Sequence, residues 1–180
     1  LRLSGAGLEA EGKLSLNGGG DLDRLTLSQV RIGKWFDGPV TLVGRGKGSS
    51  PAIEVTGGRL DLRNLPEFGS GKGGDGGGTP ITARLDRVQV TETIALHGLT
   101  GEFSTAGGFK GSFGARLNGA AALRGGVAPV KTGTAIRITS DDAGGVLAAS
   151  GIFSTARGGA LDLQLMPQGP KGVYEGIATA

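Results

Sequence analysis

The stretch Ala135–Leu165, AIRITSDDAGGVLAASGIFSTARGGALDLQL, decides how the chain is read. Ile136 and Ile138 alternate with Arg137 and Thr139, the period of two expected of a half-buried strand. Ser140-Asp141-Asp142 then offers side-chain oxygens to the unpaired N–H groups of a first helical turn, and two carboxylates suit the positive end of a helix dipole. Both Asp141 and Asp142 are therefore expected to cap a short helix near residues 142–150. Gly151 stands where that helix should stop, in a left-handed position that only glycine takes cheaply. That choice makes Leu147 and Ile152 the C3 and C″ residues of a Schellman ending. Gly158-Gly159 turns the chain, and Leu161, Leu163 and Leu165 resume the alternation against Asp162 and Gln164. The internal glycines, Gly144 and Gly145, each cost up to about 1 kcal/mol relative to Ala. Either packing holds this helix, or the glycines are there so that something can come close.

Working outward, the rest of the chain repeats the strand theme. Glycine is the compositional outlier, 38 of 180 residues against about 7% in average usage. Its spacing is irregular, which excludes collagen, and apolar residues at 37% in alternating runs argue against disorder. Turns, bulges and tight corners of a β protein remain. Short strands are expected at Leu1-Leu3, Lys13-Leu16, Asp21-Ile32, Pro39-Val43, Ala52-Thr56 and Arg59-Leu65, with turns at Gly18 to Gly20, Gly44 to Ser50 and Gly57-Gly58. Leu25 and Leu27 share one parity, Val30 and Ile32 the other, so a bulge is expected at Ser28-Gln29. A second slip separates Leu85 from Val88 and Val90. Asn118-Gly119 is a hairpin signal. The motif GG-x-L-x-L recurs at Gly19, Gly57 and Gly158. It reads either as the ordinary shape of a turn entering a strand or as a reused strand unit. Residues 66–80, PEFGSGKGGDGGGTP, read as a flexible glycine-rich loop inside one β-rich domain spanning 1–180. The start at Leu1 rather than Met suggests a piece of a longer chain.

Few residues invite chemistry. There is no cysteine and one histidine, His97, at a strand end, so no metal or thiol site is expected. Gly69, Gly71 and Gly74 spell G-x-G-x-x-G, but the residues after them cannot form the helix that a dinucleotide site needs, so no cofactor is expected. No serine sits in a nucleophile elbow, and no catalytic residue is assigned. The basic residues are scattered without interleaved aromatics, which excludes a nucleic-acid module. No apolar run reaches the length of a membrane helix.

The run S-D-D-A-G-x-V-L-x-x-x-G-I-F followed by G-G-x-L-D-L, between Ser140 and Leu165, resembles the C-terminal region of the AsmA-like superfamily, in its branch of very large bacterial envelope proteins. The runs Leu85 to Phe103 and Gly172 to Ala180 are similar in style. The resemblance implies a long curled sheet with an apolar groove, a periplasmic location within a protein anchored in the inner membrane by a segment outside this one, and a role in moving phospholipid between two membranes.

The fold expected is mainly β: a curled, twisted antiparallel sheet of short strands, an open groove or half-barrel, with one short helix. One-sided strands leave an apolar face that a single short helix cannot cover. Phospholipid acyl chains are the expected occupants. Leu60, Leu62, Leu85, Val90, Phe113, Leu117, Ile138, Leu161 and Leu163 are the expected lining, and the helix from Asp142 to Gly151 a cap or gate at one edge. The alternative is a structural or adhesive β-sandwich or β-solenoid with a dry core.

Overall fold

A computed structural model describes residues 1–5, 7–65, 78–168 and 173–179 of the chain. The expected glycine-rich loop lies, over residues 66–77, outside them. The described strands are β1 (Arg2–Gly5), β2 (Leu8–Leu16), β3 (Leu22–Ile32), β4 (Phe36–Val43), β5 (Ala52–Val55), β6 (Arg59–Asp61), β7 (Pro80–Gln89), β8 (Ala95–Ser104), β9 (Lys110–Leu117), β10 (Ala121–Val130), β11 (Gly133–Ser140), β12 (Leu161–Pro167) and β13 (Tyr174–Thr179). One α-helix, α1 (Ala143–Ala149), interrupts them. All thirteen strands belong to one sheet, ordered as they occur in the chain. The protein is thus mainly β, a curled sheet of sequential strands.

The sheet is mixed rather than wholly antiparallel. β5 and β6 lie end to end: both pair antiparallel with β4 and parallel with β7. Together they are one strand broken at Thr56-Gly57-Gly58. The Gly57-Gly58 turn expected from sequence is therefore a mid-strand break. At Gly58 (φ +95°) a Cβ would collide with the backbone of Asp37 and Gly38, so the two chains can touch only because neither carries a side chain there. A parallel neighbour needs a return crossover rather than a tight hairpin.

The expected bulge at Ser28-Gln29 is present: Leu27 pairs Val40 while Val30 pairs Gly38. The expected slip after Leu85 is present too, where the N–H groups of Asp86 and Arg87 both donate to the Gly58 carbonyl, at 2.9 and 3.4 Å. A further shift in β8 falls between His97 and Thr100, around Gly98 (φ +58°). These extra residues lie near one another in the sheet, on β3, the broken strand, β7 and β8, with none on β4. Each adds local twist and bends its strand, so the sheet coils there.

Helix α1 is shorter than the stretch near 142–150 expected; the cap at Asp142 and the stop at Gly151 are as read, and the cap at Asp141 is not. The Asp142 carboxylate accepts from Gly145 N–H at 2.8 Å. Asp141 does not cap; it lies 3.4 Å from Arg124 on the next strand, where the carboxylate is drawn away from the helix end. The N–H groups of Ala143 and Gly144 donate to the carbonyls of Gly159 and Gly158, so the returning chain satisfies them. At the other end Gly151 (φ +80°) donates to Ala148 and Ile152 donates to Leu147, both at 3.1 Å, the paired bonds of a Schellman ending. The side chain of Ile152 itself is exposed.

Gly144 and Gly145 are explained by close approach. A Cβ on Gly144 would sit on the Arg157 backbone, and one on Gly145 on the Asp142 carboxylate. Gly144→Ala is accordingly expected to destabilise the fold by about 1–3 kcal/mol through overpacking, although the helix itself would gain up to about 1 kcal/mol. Gly126→Ala, where the nearest atom is the Gly111 carbonyl at 3.8 Å, is expected to be silent. Urea unfolding midpoints of the two variants check this.

Candidate functional site: the apolar face

Strand register places apolar residues in rows that cross the sheet. One row runs Leu14, Leu25, Leu42, Ile53, Ile81, Phe103, Gly111, Val127, Ile136, Leu165 and Gly176, each opposite the next. The row beside it runs Gly12, Leu27, Val40, Val55, Ala83, Gly101, Phe113, Gly125, Ile138, Leu163 and Ala178. At about 4.8 Å per strand, each row would extend roughly 50 Å were the sheet flat. Polar residues alternate with them and form the other face. Arg24 reaches Glu54 at 3.7 Å there, and Arg137 and Asp162 join across the strands.

Burial is graded along the strands. Ala10, Val30, Leu85, Leu99, Ala115, Leu123 and Leu161, in the next row along the strands, are all under a tenth exposed, as are Phe36, Val88 and Leu117 in the row beyond. Ala143 and Val146 of α1 join this cluster. The two long rows, by contrast, are mostly half-buried, and Leu14 is 51% exposed. Among the described residues no large side chain is buried to less than 2% exposure. The sheet thus covers its apolar face at one end of the strands and leaves it open at the other. The chain's accessible surface is 11266 Å², whereas a compact monomer of this mass would expose about 8000 Å². A single curled layer accounts for the excess.

Where aromatics stand in the open rows, glycines lie beside them. A Cβ on Gly125 would strike the ring of Phe113, and one on Gly101 or Gly111 the ring of Phe103. The rings of Phe103 and Phe109 stack at 5.3 Å, and Phe113 is 6.4 Å from Phe103. Flat rings over bare backbone give a surface that is apolar and shallow.

Of the expected lining, Leu60, Leu85, Phe113, Leu117, Ile138, Leu161 and Leu163 share the apolar face. Leu85, Leu117 and Leu161 lie in its covered part and Phe113, Ile138 and Leu163 in its open part. Leu62 does not belong: the strand stops at Asp61, whose carboxylate accepts from Arg63 N–H and starts a single 3-10 turn carrying Leu62. Val90 lies past the end of β7, in the turn where its N–H donates to Ile94. Leu147, Gly151 and Ile152 stay with α1. Asn118, read only as a hairpin residue, does more. Its amide donates to the carbonyls of Thr93 and Ala149 and its Oδ1 accepts from Ala95 N–H, tying the end of α1 to the sheet.

Among the described residues no group of His, Asp and Glu could hold a metal ion, and no helix is long and apolar enough to cross a membrane. No family model, no curated protein and no solved structure matches the chain.

On the polar face the Arg137 guanidinium donates to both Asp162 oxygens, at 3.0 and 2.5 Å, and these hydrogen bonds hold the carboxyl below its ordinary pKa. A depressed carboxylate contributes stability that is present above the unfolded value of about 3.9 and is lost as pH falls through the folded value. Asp162→Asn is therefore expected to flatten the decline of stability below about pH 4. The pair is solvent-facing, so the change is small; urea melts at stepped pH read it.

Proposed function

We propose that this chain is a segment of a periplasmic hydrophobic groove that conducts phospholipid between inner and outer membranes, its acyl chains lying along the open apolar rows. The carrying observation is the pair of unbroken apolar rows on one face of a single sheet, half-exposed along their length. The resemblance of Ser140–Leu165 to the AsmA-like superfamily supports the same reading and supplies the cellular setting. Burying a methylene gains about 0.8 kcal/mol, so a sixteen-carbon chain gains roughly 12 kcal/mol over water. Rows of Leu, Ile, Val, Phe, Ala and bare glycine backbone, without a polar side chain, let that gain persist from strand to strand. A lipid can then shift along the face without returning to water. Polar side chains in the rows would trap it, and the two long rows contain none.

The covered end of the face favours a second reading, a structural module with a dry core. There Val88 is 3% and Val30 4% exposed, and the chain's own residues provide the cover. Photocrosslinkers at Leu163 and Val127, in the open rows, are expected to capture phospholipid in cells, whereas one at Gln164 on the opposite face is not. Equal capture at all three, or none, would remove the conduit reading. Native mass spectrometry of gently purified protein is expected to find bound phospholipid; a dry module would carry none.

A further inference from the structure

The polar face holds a charge pattern that folding does not explain. In the row nearest the covered end, Glu9, Arg31, Asp37 and Arg59 stand opposite one another on successive strands with alternating sign. Ion pairs join them: Arg31 lies 3.6 Å from Glu9 and 3.5 Å from Asp37, and Arg59 lies 3.6 Å from Asp37. Beyond Arg59 the alternation stops. Arg59 faces Arg87, Arg87 faces His97, and His97 faces Arg116. Arg59 and Arg87 are like charges directly opposite on paired strands, which is destabilising.

The cations in this second half have only neutral partners among the described residues. Arg87 donates Nε and Nη2 to Gln89 Oε1, at 2.9 and 2.6 Å. Arg116 donates to the carbonyls of Gly119 and Ala120. Three carboxylates are near, and all are engaged, Asp61 by Arg63. Asp37 is shared by Arg31 and Arg59, and Asp86 Oδ2 accepts Gly58 N–H at 2.8 Å. The bulges open a cleft of about 520 Å³ here, lined in part by Gly58, Arg59, Arg87 and His97. A neighbouring cleft of about 420 Å³ shares Arg59 and Arg87 and adds Lys34 and the Arg63–Asp61 pair. Both volumes fall within the range of small-ligand sites.

We propose that Arg59, Arg87 and His97, with Arg116 beside them, form a docking site for a phosphate group on the polar face. Guanidinium forks match phosphate oxygens, and donors on adjacent strands about 4.8 Å apart can share one tetrahedral anion. A group of nearly two negative charges would offset the repulsion that the row carries when empty. The site lies on the face opposite the apolar rows and does not depend on the acyl-chain reading. The phosphate could belong to a soluble phosphomonoester or to a lipid headgroup.

The test titrates the isotope-labelled chain with inorganic phosphate at low ionic strength, following amide and arginine side-chain resonances. Shifts centred on Arg59, Arg87 and His97 are expected, with affinity falling roughly tenfold in Arg87→Gln, the loss of one charge-assisted contact. The melting temperature of free Arg87→Gln should be unchanged or raised, because the substitution relieves repulsion; a purely structural arginine would lower it. Lys110→Gln, on the same face at the other end of the strands, should leave affinity unaltered. Absence of shifts, shifts spread evenly over the basic residues, or equal losses in Arg87→Gln and Lys110→Gln would overturn the site. Co-sedimentation with phosphatidylglycerol vesicles separates the sources. Binding abolished by Arg87→Gln assigns the phosphate to a headgroup, and phosphate binding without vesicle binding assigns it to a soluble ligand.

Discussion

A strand that gains one residue turns every later side chain to the other face, so a sheet with one apolar side can tolerate a bulge only if the apolar positions beyond it slip in parity with it. Here they do. β3 carries its extra residue at Ser28-Gln29, the broken strand β5–β6 at Thr56–Gly58, β7 at Asp86-Arg87 and β8 at Gly98. At each shift the apolar residues slip by one position, so Leu27 and Val30, Val55 and Leu60, Leu85 and Val88, and Leu96 and Leu99 all reach the same face. A leucine or valine turned to water would cost about 1.5–3 kcal/mol, which keeps the register strict.

The same group of bulges sets the shape of both faces. On the apolar side the residues flanking it, Val30, Leu85, Val88 and Leu99, are covered, while those of the two rows toward the open end stay mostly half-exposed. On the polar side it opens the cleft at Arg59, Arg87 and His97. Strands β9 to β13 pair without a shift, and the cover there comes instead from α1, placed by Asn118 and by the close contact at Gly144. Two local devices therefore do for the two halves of the sheet what a second layer does in a sandwich.

Much of this was legible in the residues. Alternation of Ile136 and Ile138, and of Leu161 to Leu165, is a property of neighbours in sequence. So are the cap at Asp142, the glycine stop at Gly151, and the parity slips at Ser28-Gln29 and after Leu85. Less was legible where the partner is distant. Leu62 has the spacing of a strand residue, but Asp61 binds Arg63 and ends the strand first. Asp141 looks like a second cap, but Arg124, seventeen residues earlier, takes it. Gly57-Gly58 has the look of a turn, and only the backbone of Gly38 reveals a break within one strand.

The sequence by itself determined the class of the fold, the parity of each strand and the ends of the helix, because these depend on contacts within a few residues. The tertiary structure alone decided the parallel junction at β7, which residues are covered, and the meeting of Arg59, Arg87, His97 and Arg116. Those facts arise from pairing between strands far apart in the chain, and a one-dimensional pattern of apolar and polar residues is the same whichever strand lies alongside.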